Sequence, residues 1–220
     1  MKLLVLPIIL PFFTAMIIAL ITNRPGIQKA ISFAVTAFLT GWVYWLAWLI
    51  DATGPQAVVM GGWAAPWGIA FVADRLTCIM LCLSMTVALV MVVYTFWTAT
   101  ESQQKYFFYP LMLVMLAGVN WAFLTGDLFN LFVSYEVMLL GSYGMMMVGA
   151  GKAQLRETLK YIAINSIGST LFVVACGLIY ATTGALNMAE LAHRTAVITG
   201  DQAAMVTAAS MVLLCVFAMK

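Results

Sequence analysis

What this sequence has least of is charge. Asp, Glu, Lys and Arg make up 8% of its 220 residues, against about 25% in an ordinary soluble domain, and that shortfall excludes a water-soluble fold. The net charge is only +2 and no basic run occurs, which removes nucleic acid as a partner. Histidine occurs once, at His193, so a haem held by two histidines of this chain is excluded. The four cysteines, Cys78, Cys82, Cys176 and Cys215, lie inside apolar segments and read as packed thiols, because a disulfide framework belongs to short secreted chains. Cys78 and Cys82 share a helix face, yet no His or acid stands close enough in sequence to complete a metal site. A Walker loop, a dinucleotide fingerprint and a catalytic triad are also missing, so no enzyme site, cofactor or metal is expected.

What is present is apolar: 65% of residues are hydrophobic and the mean hydropathy is +1.05. A bilayer core takes about 20 apolar residues per helix. Seven runs approach that length, at 3–21, 27–50, 76–98, 106–124, 128–148, 155–180 and 203–219. The first of them follows Lys2 as a signal peptide would. It exceeds the usual ~7–15 residues of such a region, is interrupted by Pro7 and Pro11, and has no small-residue cleavage site after it. It reads as a retained first span. Turn chemistry fills the breaks, as in Asn23-Arg24-Pro25-Gly26, Thr53-Gly54-Pro55, 101–105, Thr125-Gly126-Asp127 and Gly149-Ala150-Gly151-Lys152.

Two breaks carry structure of their own. In the stretch from Asp51 to Arg75, the β-prone runs 57–60 and 68–72 flank Gly61-Gly62-Trp63-Ala64-Ala65-Pro66-Trp67. That pattern predicts a hairpin on the membrane surface, with Trp63 and Trp67 at headgroup depth. Asn187 followed three residues later by Glu190 resembles a capping box and starts a short amphipathic helix over 187–197. Basic residues set the orientation. Arg24, Lys29, Lys105, Lys152, Arg156 and Lys160 fall on one side, while Lys2, Arg75 and Arg194 fall on the other with most of the acids. The positive-inside rule then puts the N-terminus and the hairpin outside the cytoplasm. The expected fold is all-α and integral to the membrane: a polytopic bundle of about seven transmembrane helices with a short extracytoplasmic β-hairpin and one surface amphipathic helix.

Within the fifth run stands one carboxylate, Glu136, about 13 Å along the helix from Asp127 and so near the bilayer midplane. A charge at that depth costs at least ~2.5 kcal/mol. Desolvation favours its neutral form and a nearby ammonium favours the carboxylate; an acid held between the two can load and release a proton. Proton or ion translocation is the reading this favours, and a structural acid bonded to a neighbouring helix is the alternative. Tyr143, seven residues on, shares roughly its face, and Gly141, Ser142 and Gly144 allow close helix approach. Lys220 is open to two roles, a snorkelling anchor at a helix end or a buried amine paired with the acid. Lys160 reads as an anchor at the cytoplasmic end or as a proton-uptake relay. Asn165 and Ser169, spaced i, i+4, form interhelical hydrogen bonds or hold water near Glu136. Asp127 reads as a helix cap, Asn120 is open to either role, and His193 is expected in solvent.

These residues resemble a known family. Val119-Asn120-Trp121-Ala122-Phe123-Leu124-Thr125-Gly126-Asp127-Leu128-Phe129-Asn130-Leu131-Phe132-Val133, followed by Tyr135-Glu136-Val137, looks like the fourth and fifth helices of the D subunit of Mrp-type multisubunit Na+/H+ antiporters. Gly61 to Ile69 with Val72-Ala73-Asp74-Arg75-Leu76 is similar to its hairpin and third helix, and Tyr161-Ile162-Ala163-Ile164-Asn165 and Gly184-Ala185-Leu186-Asn187-Met188-Ala189 to later segments. The likeness covers essentially the whole chain. It favours the Mrp-type D subunit over the related antiporter-like subunits of respiratory complex I.

The resemblance implies a proton- and monovalent-cation-translocating subunit, a secondary transporter rather than an enzyme. The family's functional glutamate falls on Glu136 and its lysine, on a broken seventh helix, falls on Lys220. The implied setting is the cell membrane, with other antiporter subunits, lipid, protons and Na+ or K+ as partners. Family members continue through further helices, so residues 1–220 are expected to be the amino-terminal part of one antiporter-like transmembrane domain that would not translocate ions alone. A proton-pumping membrane subunit of an NADH–quinone oxidoreductase or a membrane hydrogenase is the rival reading, and a non-conducting assembly subunit is a second.

Overall fold

The computed structural model describes residues 2–21, 24–63, 66–99 and 107–220. Asn23, Ala64 and Ala65 of the expected turns, the polar break 101–105 with Lys105, and Tyr106 at the expected start of the fourth run lie outside the described residues. Among the described residues the order is α1 Leu6–Ala19, α2 Pro25–Thr53, β1 Gln56–Val59, β2 Ala70–Ala73, α3 Arg75–Thr98, α4 Phe108–Leu124, α5 Leu128–Met147, α6 Lys152–Thr183, α7 Met188–Thr195 and α8 Asp201–Met219. Among the described residues, each apolar run read from the sequence is helical over most of its length. By length and composition α2, α3, α6 and α8 are long and apolar enough to cross a membrane. Helices α1 and α4 have 14 and 17 residues, and α5 has 20 with Asn130 and Glu136 among them.

Helix ends follow local chemistry. Pro25 opens α2 in its first turn, where a missing N–H costs nothing. Asp74 starts α3 by accepting from the Thr77 amide at 2.7 Å, and Asp127 starts α5 by accepting from the Asn130 amide at 2.9 Å. Asn187 starts α7 by accepting from the amides of Ala189 and Glu190. Glu190 completes an ion pair with Arg194 at 2.8 Å, and Arg194 also donates to the Thr183 carbonyl at the end of α6. The buried Gln28 amide covers the end of α1 by donating to the carbonyls of Ile18 and Ile21. Carbonyls at and just past a helix C-terminus lack a full set of helical donors, and a side-chain amide supplies one.

Strands β1 and β2 pair antiparallel, with Gln56 opposite Ala73 and Val59 opposite Ala70. The hairpin is therefore shifted by one or two residues from its expected runs. Met60 leaves the strand because Gly61 and Gly62 turn the chain at φ 70° and 75°, a region open to glycine at little cost. The hairpin also reaches beyond itself. The Gly126 amide donates to the Ala70 carbonyl at 2.8 Å, the Leu128 amide to Leu186 at 2.9 Å, and the Met188 amide to Gly126 at 2.8 Å. One end of the bundle is thus stitched by main chain from β2 through the α4–α5 turn to the α6–α7 loop.

Packing falls into two clusters. Leu39, Val43, Leu46 and Ile50 of α2, at helical spacing, face Leu81, Met85 and Val92 of α3, with α1 and α4 completing that core. Phe172, Cys176 and Ile179 of α6 pack with Leu213 and Val216 of α8. Helix α5 joins the clusters, laying Leu128, Leu131, Phe132 and Tyr135 on the second and its glycine face on α4. Lipid tails are as apolar as leucine, so helix pairs in a membrane hold by close contact rather than by the hydrophobic effect. The α4–α5 contact is close: a Cβ on Gly118 would stand 2.5 Å from the Met138 nitrogen, and one on Gly141 would stand 2.8 Å from that of Met115.

Candidate functional site

Three helices bring Glu136, Ser169 and Lys220 to one point. Glu136 is carried on α5, Ser169 on α6, and Lys220 follows α8, its amide still bonded to the Val216 carbonyl. The Ser169 hydroxyl donates to Glu136 Oε1. Lys220 Nζ donates to Ser169 Oγ at 2.9 Å and to the same carboxylate oxygen at 3.4 Å. The serine therefore bridges an ion pair. The lysine side chain is 4% exposed and the glutamate side chain 37%, so the ammonium is sealed while one side of the acid opens outward from this chain. A buried cation without a partner is costly, and the acid and the serine oxygen meet that cost here. The lysine stem crosses Gly168, whose absent Cβ would lie 3.7 Å from Cε.

The other residues singled out in the sequence take other partners. Asn165 is buried, with its amide donating to the Tyr161 carbonyl of its own helix. Tyr143 sets its ring edge-on to Tyr161 at 5.7 Å. Lys160 pairs with Glu157 at 2.9 Å, about 13 Å along α6 from Ser169. Asp127 caps α5, His193 is exposed, and Asn120 is fully buried, donating to the Pro7 carbonyl at 3.0 Å. Among the described residues no three His, Cys, Asp or Glu side chains converge as a metal site would require.

The aromatic wall was not foreseen. Tyr135 of α5, Phe172 of α6 and Phe217 of α8 pack ring on ring, with Tyr135–Phe217 at 6.3 Å and Phe172–Phe217 edge-on at 5.5 Å. Lys220 Nζ stands 5.6 Å from the centre of the Tyr135 ring. The adjacency of Tyr135 to Glu136 was the one available sign.

A half-buried acid and a buried lysine joined through a hydroxyl, beside α6 and α8, which are apolar enough to span a membrane, define a membrane protein built around a charge pair. Residues 125–220 match the family described as NADH:quinone oxidoreductase/Mrp antiporter, transmembrane, and the chain belongs to that family. Along its whole length the chain is similar to the antiporter members of the D-subunit branch. It is 42% identical over 220 residues to the Na(+)/H(+) antiporter D subunit of Alkalihalophilus pseudofirmus, covering 100% of this chain and 44% of that protein. It is 38% identical over 228 residues to the probable K(+)/H(+) antiporter D subunit of Rhizobium meliloti, covering 99% of this chain and 41% of that one. Its fold matches a chain of the Mrp complex from Dietzia sp. DQ12-45-1b with a TM-score of 0.89 at 31% identity, over 98% of this chain and 40% of the other. The chain thus spans less than half the length of the curated relatives it matches.

Proposed function

We propose that this chain acts as a proton- and monovalent-cation-translocating subunit of a multisubunit antiporter, with Glu136 and Lys220 as a charge pair that relays protons. The observation that carries the proposal is the Ser169-bridged contact of Lys220 with Glu136, 3.4 Å apart and supplied by three different helices. Proton arrival at the carboxylate removes the attraction that holds the ammonium; proton departure restores it. The pair therefore has two states that differ by one proton, and coupling to a second ion needs such an element. Asn165 and Tyr143, with Lys160 toward the basic end of α6, are assigned to the hydrated approach. Relatives named for both Na+ and K+ leave the cation as either.

The rest of the assignment follows the same reading. Residues 1–220 form the amino-terminal part of one antiporter-like domain of seven spans in the cell membrane. The N-terminus and the β1–β2 hairpin are extracytoplasmic, supported by the basic residues at the opposite end and by the exposed Trp63 and Trp67. Partners are the other antiporter subunits. The experiment is Glu136→Gln in the assembled complex, assayed for cation/proton antiport in everted vesicles: antiport is lost while the complex still copurifies. Unchanged antiport defeats the proposal. The shared family description also admits a proton-pumping subunit of a quinone-reducing enzyme, which copurification with iron–sulfur subunits would select instead.

A further inference from the structure

We propose that Tyr135 is a positioning residue for translocation, the face of its ring holding the Lys220 ammonium while Glu136 is neutral. This rests on the reading that Glu136 exchanges a proton beside Lys220. An ammonium within about 6 Å of a ring centre is attracted by the electrons of its face, more strongly where water is excluded. Nζ lies 5.6 Å from the Tyr135 centroid, and the lysine side chain is 4% exposed. An ammonium has three N–H donors. The structure gives it the Ser169 oxygen at 2.9 Å, the Glu136 oxygen at 3.4 Å and the ring face. A charge-assisted bond is usually ~2.7–2.9 Å, so the acid alone does not seat this cation.

The ring is held in place. It meets Phe172 at 6.4 Å and Phe217 at 6.3 Å, and those two rings stand edge-on to each other. Helices α5, α6 and α8 therefore each contribute one ring to the cluster that fixes Tyr135. Glu136 and Tyr135 adjoin on α5, so acid and ring reach Nζ from the same helix.

The chemistry is a single protonation: a proton from the aqueous side adds to the Glu136 carboxylate, giving the neutral acid, and no other bond changes. The ammonium then keeps the Ser169 oxygen and the ring, while the acid falls from a charged partner to an uncharged acceptor. A ring face attracts a cation without taking up a proton itself, so it stabilises Lys220 in its charged form through the step in which Glu136 is neutral. Tyr135 thereby gives the lysine a second resting partner.

The test places phenylalanine at 135, then mono-, di- and trifluorophenylalanine, in the assembled complex. Fluorine drains the ring face with little change in shape. Antiport rates in everted vesicles, relative to Tyr135→Phe, should fall stepwise with each fluorine and reach about a fivefold loss, with copurification of the subunits unaltered. A ring that only fills space predicts a flat series, and a flat series overturns the proposal. Glu136→Gln is run alongside. If that variant is fully active, the underlying relay reading has failed; if it is inactive while the fluorine series is flat, only the role of Tyr135 has.

Discussion

The side-chain amide of Asn120 donates to the carbonyl of Pro7 at 3.0 Å, the oxygen that Pro11, four residues on, leaves without its helical donor. Asn120 also accepts from Ser84 Oγ at 3.3 Å, so one buried side chain joins α1, α3 and α4. Asn120→Leu should destabilise the protein by about 1–3 kcal/mol, the cost of unpaired buried polar groups. Pro11→Ala returns a backbone donor to Pro7. In that background the same substitution should cost less, by about 1 kcal/mol, in a double-mutant cycle of equilibrium unfolding in detergent. Additive effects would show that the two positions are uncoupled.

Gly118 and Gly144 lie on the same pair of helices and should respond differently to alanine. At Gly118 the added Cβ meets Met138 backbone at 2.5 Å; at Gly144 it meets the Leu111 side-chain tip at 2.6 Å. A side-chain tip can turn aside and a helix backbone cannot. Gly118→Ala should lower stability by about 1–3 kcal/mol, and Gly144→Ala by less than about 1 kcal/mol. Thermal unfolding of the two variants in one detergent measures the contrast, and equal losses would contradict it.

Ser169→Ala removes the hydroxyl between Lys220 and Glu136. A hydrogen bond to a charged group contributes about 1.5–3 kcal/mol, so antiport should fall at least about tenfold. Ser169→Thr keeps the hydroxyl and should recover most of that loss. A threonine variant as slow as the alanine variant would point to packing rather than bridging.

The Asp74 carboxyl, outside the spanning helices, is held below its ordinary value of 3.8, first by the hydrogen bond from the Thr77 amide, while partial burial opposes the shift. A depressed folded value means that the charged cap stabilises above the ordinary value and that this contribution is lost as pH falls through the folded one. The advantage of the parent over Asp74→Asn should therefore be constant above about pH 5 and shrink below about pH 4. Melting temperatures of both proteins between about pH 3 and about pH 6 follow it; parallel curves would refute the assignment.

Helix positions were legible because an uninterrupted apolar run of membrane length has few alternatives. Asp127 and Asn187 were readable as caps because a cap depends only on the next three residues. Glu136 was conspicuous for its cost, and resemblance linked it with Lys220. The bridge by Ser169 was one of two open readings, since a hydroxyl stripe on α6 does not reveal which helix it will meet. Tyr135 and Asn120 were harder. One acts through a ring face shared among α5, α6 and α8, and the other answers a vacancy 113 residues away. Helical spacing can put Tyr143 and Asn165 on a face but does not name the partner each takes: Tyr143 packs on Tyr161 and Asn165 bonds to its own helix.

The stitched end of the bundle, where Gly126 bonds to Ala70 and Leu128 to Leu186, makes these joints between main-chain atoms. It also acts as a surveyor's benchmark for α5: with the head of the helix bolted on both sides, the depth of Glu136 is set by counting nine residues down from Asp127. Any travel in the Glu136–Lys220 pair then falls to the lysine stem, the longer of the two side chains.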